Sequence, residues 1–213
     1  MHISEGVLSA PVLATGAALA AAGLVVGLRS IRSEEIPKAS ILSAVFFVAS
    51  LIHVNIGPSS THLVLNGLIG IVMGLGAFPI IFLGLLLQGL LFGFGGLTTL
   101  GVNTFNMAAP AVLFGLLLRP AINSRNVPLS TAASLLGGAL PVLASAILVA
   151  LSLFLTGSQF RLVAYEVMIG NLPVVIVEGL VVMFAIRFLK KVRPEVLEAR
   201  PFQGGGALEG AAV

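Results

Sequence analysis

Residues 62–94 read HLVLNGLIGIVMGLGAFPIIFLGLLLQGLLFGF and carry no charged side chain. How this run crosses a bilayer decides the fold. As continuous helix it would extend about 50 Å, well beyond a hydrocarbon core of roughly 30 Å. The break expected in it lies at Ala77-Phe78-Pro79, because proline interrupts a helical hydrogen-bond ladder. One long kinked element gives a chain of six spans, and two elements give seven.

The flanking sequence favours two. Other apolar segments run over 7–28, 37–52, 103–118, 129–156 and 165–190, with the central run dividing into 62–77 and 78–94. Between them lie RSIRSEEIPK, HVNIGPSST, GGLTTLGVN, RPAINSRNVP and TGSQFRL. With seven spans and the N-terminus outside, Arg29, Arg32, Lys38, Arg119, Arg125, Arg187, Lys190, Lys191, Arg193 and Arg200 fall on the cytoplasmic side. Arg161 alone falls outside. Six spans would separate Arg119 and Arg125 from the first loop and weaken this bias. Lysine and arginine concentrate in cytoplasmic loops, so the expected topology is seven spans, N-terminus out and C-terminus in. The first segment lacks a basic leader and is followed by basic residues, which argues against a cleaved signal peptide.

Composition agrees with a membrane protein. The 213 residues are 58% hydrophobic and 9% charged, with mean hydropathy +1.13, whereas soluble domains carry about 25% charged residues. The net charge of +3 is spread over span ends, so it reads as a topology signal and not as a nucleic-acid patch. Cysteine is absent, which excludes disulfides and thiolate metal ligands. No Walker motif, dinucleotide fingerprint or HExxH occurs, and GFGG at 93–96 lacks the GK[ST] of a phosphate loop. No catalytic site and no bound cofactor are expected. The expected organisation is one membrane domain over 1–194 and a flexible cytoplasmic tail over 195–213, ending GGGALEGAAV.

The topology puts all three histidines, His2, His53 and His62, on the outer side with two uncharged loops rich in Gly, Pro, Asn, Ser and Thr. Such irregular backbone persists near a membrane only when buried in protein or lining a cavity. The opening MHISEG is a ready chelator. The α-amine of Met1 and the deprotonated amide nitrogen of His2 close a five-membered ring around a metal. That amide and the His2 imidazole close a six-membered one. A fourth nitrogen, from His62 or His53, would complete a square plane, the geometry of Ni(II) or Cu(II); Co(II) would need it imposed. Zinc prefers tetrahedral sites, and the chain has no aspartate for a hard-ion cage. Retention of Met1 is expected, since His2 is too large for the usual methionine removal. Asn66, Asn103 and Asn106 sit near the outer ends of spans, where they would orient a ligand imidazole or join helices. Glu178, inside the last span, is a pairing or functional residue by default, nearer the middle or cytoplasmic half. Glu5 is close enough to His2 to shape the local potential.

MHISEG, HVNIGPSSTHLVLNG (53–67), GGLTTLGVNTFNMAAPA (95–111), VIVEG and FLKKVRPE together resemble the CbiM/NikM family. Its members are the substrate-binding (S) components of energy-coupling factor transporters for cobalt and nickel. The resemblance implies an all-α fold, a six-helix S-component bundle plus an additional N-terminal helix. It implies metal ligation by Met1, His2 and His62, with His53 outside the first coordination shell at most. It also implies a transmembrane coupling (T) component, a pair of ABC ATPases and a small accessory membrane subunit as separate polypeptides in a prokaryotic plasma (inner) membrane. The chain departs from the family at YEVMIGNLPVVIVEG, where some members carry a histidine near Tyr165. Two other readings are a self-contained secondary metal transporter and a structural membrane protein with incidental histidines. The first would need coupling groups and often a repeat, and only Glu178 is a clear candidate.

Overall fold

The computed structural model describes residues 2–56 and 59–197. Among these lie seven α-helices: α1 (Ala10–Ser30), α2 (Ile36–Ala49), α3 (Asn66–Met73), α4 (Ala77–Phe92), α5 (Leu100–Ile122), α6 (Val127–Thr156) and α7 (Arg161–Val192). Two short strands, β1 (His53–Ile56) and β2 (Ser59–His62), pair antiparallel between α2 and α3. Five apolar stretches are long enough to cross a membrane: α1, α5, α6, the stretch containing α7, and Asn66–Phe92 counted as one. At 14 residues α2 is shorter than a full span, about 21 Å long. The chain is therefore an all-α, multi-pass membrane protein.

The central apolar run breaks at glycine, before the expected proline. Gly74 adopts φ 53°, ψ −122°, a conformation that side chains resist, and a single 3₁₀ turn (Gly74–Gly76) follows before α4 begins. Pro79 lies in the first turn of α4, where its missing N–H costs nothing. The run folds back on itself there. At one end, the turn lies against the C-terminal end of α1: a Cβ on Gly27 would meet Pro79 and the Leu75 carbonyl oxygen, and one on Gly76 would meet Ile31. At the other end, His62 and Phe94 flank the same side chain, His2.

Close approach needs small residues. A Cβ at Gly70 would lie 1.9 Å from the Ala111 carbonyl oxygen, and one at Gly115 would lie 2.4 Å from Gly70 backbone. Thus α3 and α5 touch main chain to main chain. The core divides along the bundle. Phe46, Ile69, Ile81, Leu85 and Met107 fill the region around α4, while Ile71, Ile122, Val182, Ile186 and Leu197 pack at the end that carries Lys190. Ile3, Leu8, Val102, Val149 and Leu153 pack beneath the N-terminal segment. The outward face of α7 shows Ile169, Ile176, Phe184 and Phe188, the inversion expected when the solvent is lipid.

Packing continues past residue 194. Leu197 is buried, and its carbonyl accepts a hydrogen bond from the Asn123 side chain (2.9 Å). The remaining expected tail, 198–213, lies outside the described residues.

Candidate metal centre

The N-terminal segment dips back into the bundle from the start of α1. Gly6 (φ 76°) forms the turn with Glu5, and the Ser9 amide donates to Thr156 at the end of α6 (3.4 Å). Beyond this turn the segment is clamped at Ile3. Its N–H donates to Asn103 Oδ1 (3.1 Å), and its carbonyl accepts from Asn103 Nδ2 (3.1 Å) and Thr99 Oγ1 (2.9 Å). Asn103 thus satisfies both main-chain groups of one residue, as a neighbouring β-strand would. The Ile3 side chain is buried alongside Leu8 and Val102, so packing and hydrogen bonding fix the same point.

The loop 93–99 closes over this segment. Gly93 (φ 67°) ends α4, and Gly95 (φ 78°) lets the chain pass close by: a Cβ there would sit 3.2 Å from Asn103 Nδ2 and 3.6 Å from the His2 Cβ. Glu5 reaches back to this loop, where its Oε1 accepts from the Thr98 amide (3.3 Å) and its Oε2 lies against Gly96. Glu5, expected only to shape the local potential, is therefore a tether.

The clamp delivers His2 to His62. The two imidazoles stack with centroids 4.7 Å apart and 15° between their planes. Phe94 lies on His2 at 6.4 Å, Phe92 on Phe94 at 5.8 Å, and Phe47 on Phe92 at 5.6 Å. This aromatic series walls one side of the pair and was not singled out in the sequence, since phenylalanine is unremarkable in an apolar chain. His62 is buried, and its Nδ1 donates to the Leu63 carbonyl (2.9 Å), because a carbonyl can only accept. That fixes the tautomer and leaves Nε2 as the nitrogen with a lone pair.

The remaining expected residues separate. Met1 lies outside the described residues. His53 pairs with His62 in the hairpin register, so its backbone is near the site. Asn66 donates to the Met107 carbonyl (3.0 Å) and to Ser145 (3.1 Å), and Asn106 donates to Ser152 (3.2 Å). Both join helices. Among the described residues no group of three or more His, Asp or Glu side chains could hold a metal.

These features meet a clear likeness to known proteins. Residues 2–196 match the family model described as the cobalt uptake substrate-specific transmembrane region, CbiM. The chain belongs to the CbiM family. A putative metal transport protein of Haemophilus influenzae is 39% identical, over 92% of this chain and 97% of that one. A putative fused nickel transport protein, NikMN, of Archaeoglobus fulgidus is 28% identical, over 98% of this chain and 72% of that one. A crystal structure described as a transition metal transporter superposes with a TM-score of 0.72 at 26% identity, covering 90% of this chain and 93% of the other. As a member of this family, the chain is the substrate-binding membrane component of an energy-coupling factor transporter for a divalent transition metal, and not an enzyme. The ion is its cargo and not a resident cofactor. Family identity implies a T component and an ATPase pair as partners.

Asn103→Leu tests the clamp directly. It removes two hydrogen bonds at Ile3, a loss of about 1–3 kcal/mol. The expected result is hydrogen exchange at the Ile3 amide at least about tenfold faster, with α5 protection unchanged. Unchanged exchange at Ile3 would show that packing alone holds the segment.

Proposed function

We propose that the chain binds one Ni(II) or Co(II) from outside through four nitrogens: the Met1 amine, the His2 amide and imidazole, and His62 Nε2. The observation that carries this reading is the 4.7 Å separation of the two imidazoles, next to a main chain clamped at Ile3. Two imidazoles bound at right angles to one ion, with metal–nitrogen bonds of about 2.1 Å, would have centroids about 4.5 Å apart, so binding turns the rings out of their stack without moving them apart. The described residues supply two imidazoles and no carboxylate cluster, which favours main-chain nitrogen as the remaining donor. Of these two ions, Ni(II) is the better suited to deprotonated amide nitrogen.

The chain crosses the membrane seven times, with Met1 outside and the C-terminus in the cytoplasm. Supporting this, Arg29, Arg119 and Lys190 occupy the last turns of α1, α5 and α7, at the end opposite the histidines. Lys190 donates there to the Ile122 carbonyl (2.6 Å) and Ser130 (2.7 Å). Loop 93–99 covers the ion. A T component, an ATPase pair and a small accessory subunit work with it at the plasma membrane of a prokaryote. ATP hydrolysis by these partners moves the chain to a state of lower ion affinity. Release requires that difference, since a ligand shifts only an equilibrium to which it binds unequally.

Titration of purified protein with a native, tag-free N-terminus tests the reading. One Ni(II) per chain with the yellow, diamagnetic spectrum of a square-planar ion is expected, with Co(II) competing for the same site. A paramagnetic, octahedral Ni(II) spectrum would overturn the four-nitrogen plane.

A further inference from the structure

Glu178 lies in the middle of α7 and is fully buried. Its carboxylate accepts hydrogen bonds from two successive main-chain amides, those of Val64 and Leu65; the Leu65 N–H is 2.9 Å from Oε1 and 3.0 Å from Oε2. Val64 is two residues beyond His62. Leu65 has φ 54°, ψ 18°, the left-handed conformation that a side chain disfavours. Among the described residues it is the only non-glycine residue with positive φ.

The strain has a geometric result. A left-handed residue turns adjacent N–H groups toward one point and makes an anion-binding concavity. Leu65 is also the residue that caps the N-terminus of α3, where unpaired amides and the helix dipole favour negative charge. The Glu178 carboxylate fills that concavity and fixes the angle between α3 and the strand that carries His62. The next link is covalent, because the carbonyl that accepts from His62 Nδ1 belongs to Leu63, whose peptide continues into the Val64 amide held by Glu178.

We propose that Glu178 is a positioning residue for His62: through the Val64 and Leu65 amides and the Leu63 carbonyl, it aims Nε2 at the ion. The proposal rests on His62 as a ligand, and it differs from a purely structural cap in what it predicts. Glu178→Gln keeps one acceptor oxygen. Glu178→Asp keeps the carboxylate but withdraws it by one methylene. Both are expected to lower Ni(II) affinity by roughly 10–100-fold, the usual effect of losing the group that orients a metal-binding histidine. Both should shift the visible Ni(II) band in the same direction as His62→Ala does. In a His62→Ala background, Glu178→Gln should cost no further affinity, since the two act through one nitrogen.

If His62→Ala weakens binding but a folded Glu178→Gln or Glu178→Asp binds with wild-type affinity, the positioning role is wrong and the metal centre stands. Additive losses in the double variant, or a weakened complex with an unshifted band, also overturn it in favour of a stability role. Wild-type affinity in His62→Ala overturns the metal centre itself, and this proposal with it.

Discussion

Extending the chain by four residues ahead of Met1, as Gly-Ser-Gly-Ser, is expected to reduce Ni(II) affinity on the order of 10³-fold, equivalent to roughly 4 kcal/mol, with the fold intact. The extension converts the Met1 amine into an amide. In the proposed centre this removes the primary amine that would anchor the ion while the His2 amide loses its proton, and the five-membered ring loses one of its two donors. It also adds chain next to a segment held at Ile3 by packing and three hydrogen bonds. Titration followed by calorimetry or by the visible Ni(II) band checks the loss, and an unaltered melting temperature checks the fold. Insertion of a residue after Met1 would test this less well. It would create a third-position histidine, which can close a four-nitrogen chelate without help from the bundle. Undiminished affinity in the extended protein would remove the terminus from the site.

His62→Ala is expected to weaken binding about 100-fold or more, and His53→Ala to change it by less than about threefold. His62 is buried, stacked on His2, and has its tautomer set by the Leu63 carbonyl. His53 lies opposite it in the backbone register of the hairpin. In His62→Ala a water takes the fourth position, so the bound ion should move toward a weaker-field spectrum while the three N-terminal nitrogens remain. Equal losses in the two variants would leave His62 without its special place.

Much of the fold is legible in the sequence because lipid imposes a simple rule of length and apolarity. The expected segments 129–156 and 165–190 fall on α6 and α7, with ends displaced by a few residues where caps and 3₁₀ turns set the boundary. The central run misleads for a local reason. Proline is the stronger breaker on average, yet Pro79 sits where a helix needs no N–H, and Gly74 supplies a conformation no other residue accepts readily. The hairpin of β1 and β2 escapes notice because each strand has four residues, too few for alternation to register. Within the site, the convergence of His2 and His62 follows from topology, and the side of the membrane is enough to suggest it. The partner of Glu178 does not follow. A carboxylate bound to main-chain amides leaves no complementary residue in the sequence, and the left-handed Leu65 carries no glycine to announce it.

The N-terminal segment hangs from the helix least embedded in the bundle. Only 17% of the apolar window of α1 is buried, against 67% for Asn66–Phe92. Two of the proposed ligating residues precede α1, whereas His62 belongs to the chain entering the interior helices. An ion held by both therefore acts as a strut between a peripheral helix and the core, and its binding free energy is linked to the docking of α1. Each tenfold tightening of the ion adds about 1.4 kcal/mol to that docking, and weakening the seat of α1 loosens the ion in proportion to the undocked fraction it creates. Grip on the cargo and cohesion of the bundle become two measures of one equilibrium. A partner protein that pulled α1 even slightly away from α5 would be prying the ion loose without touching a ligand.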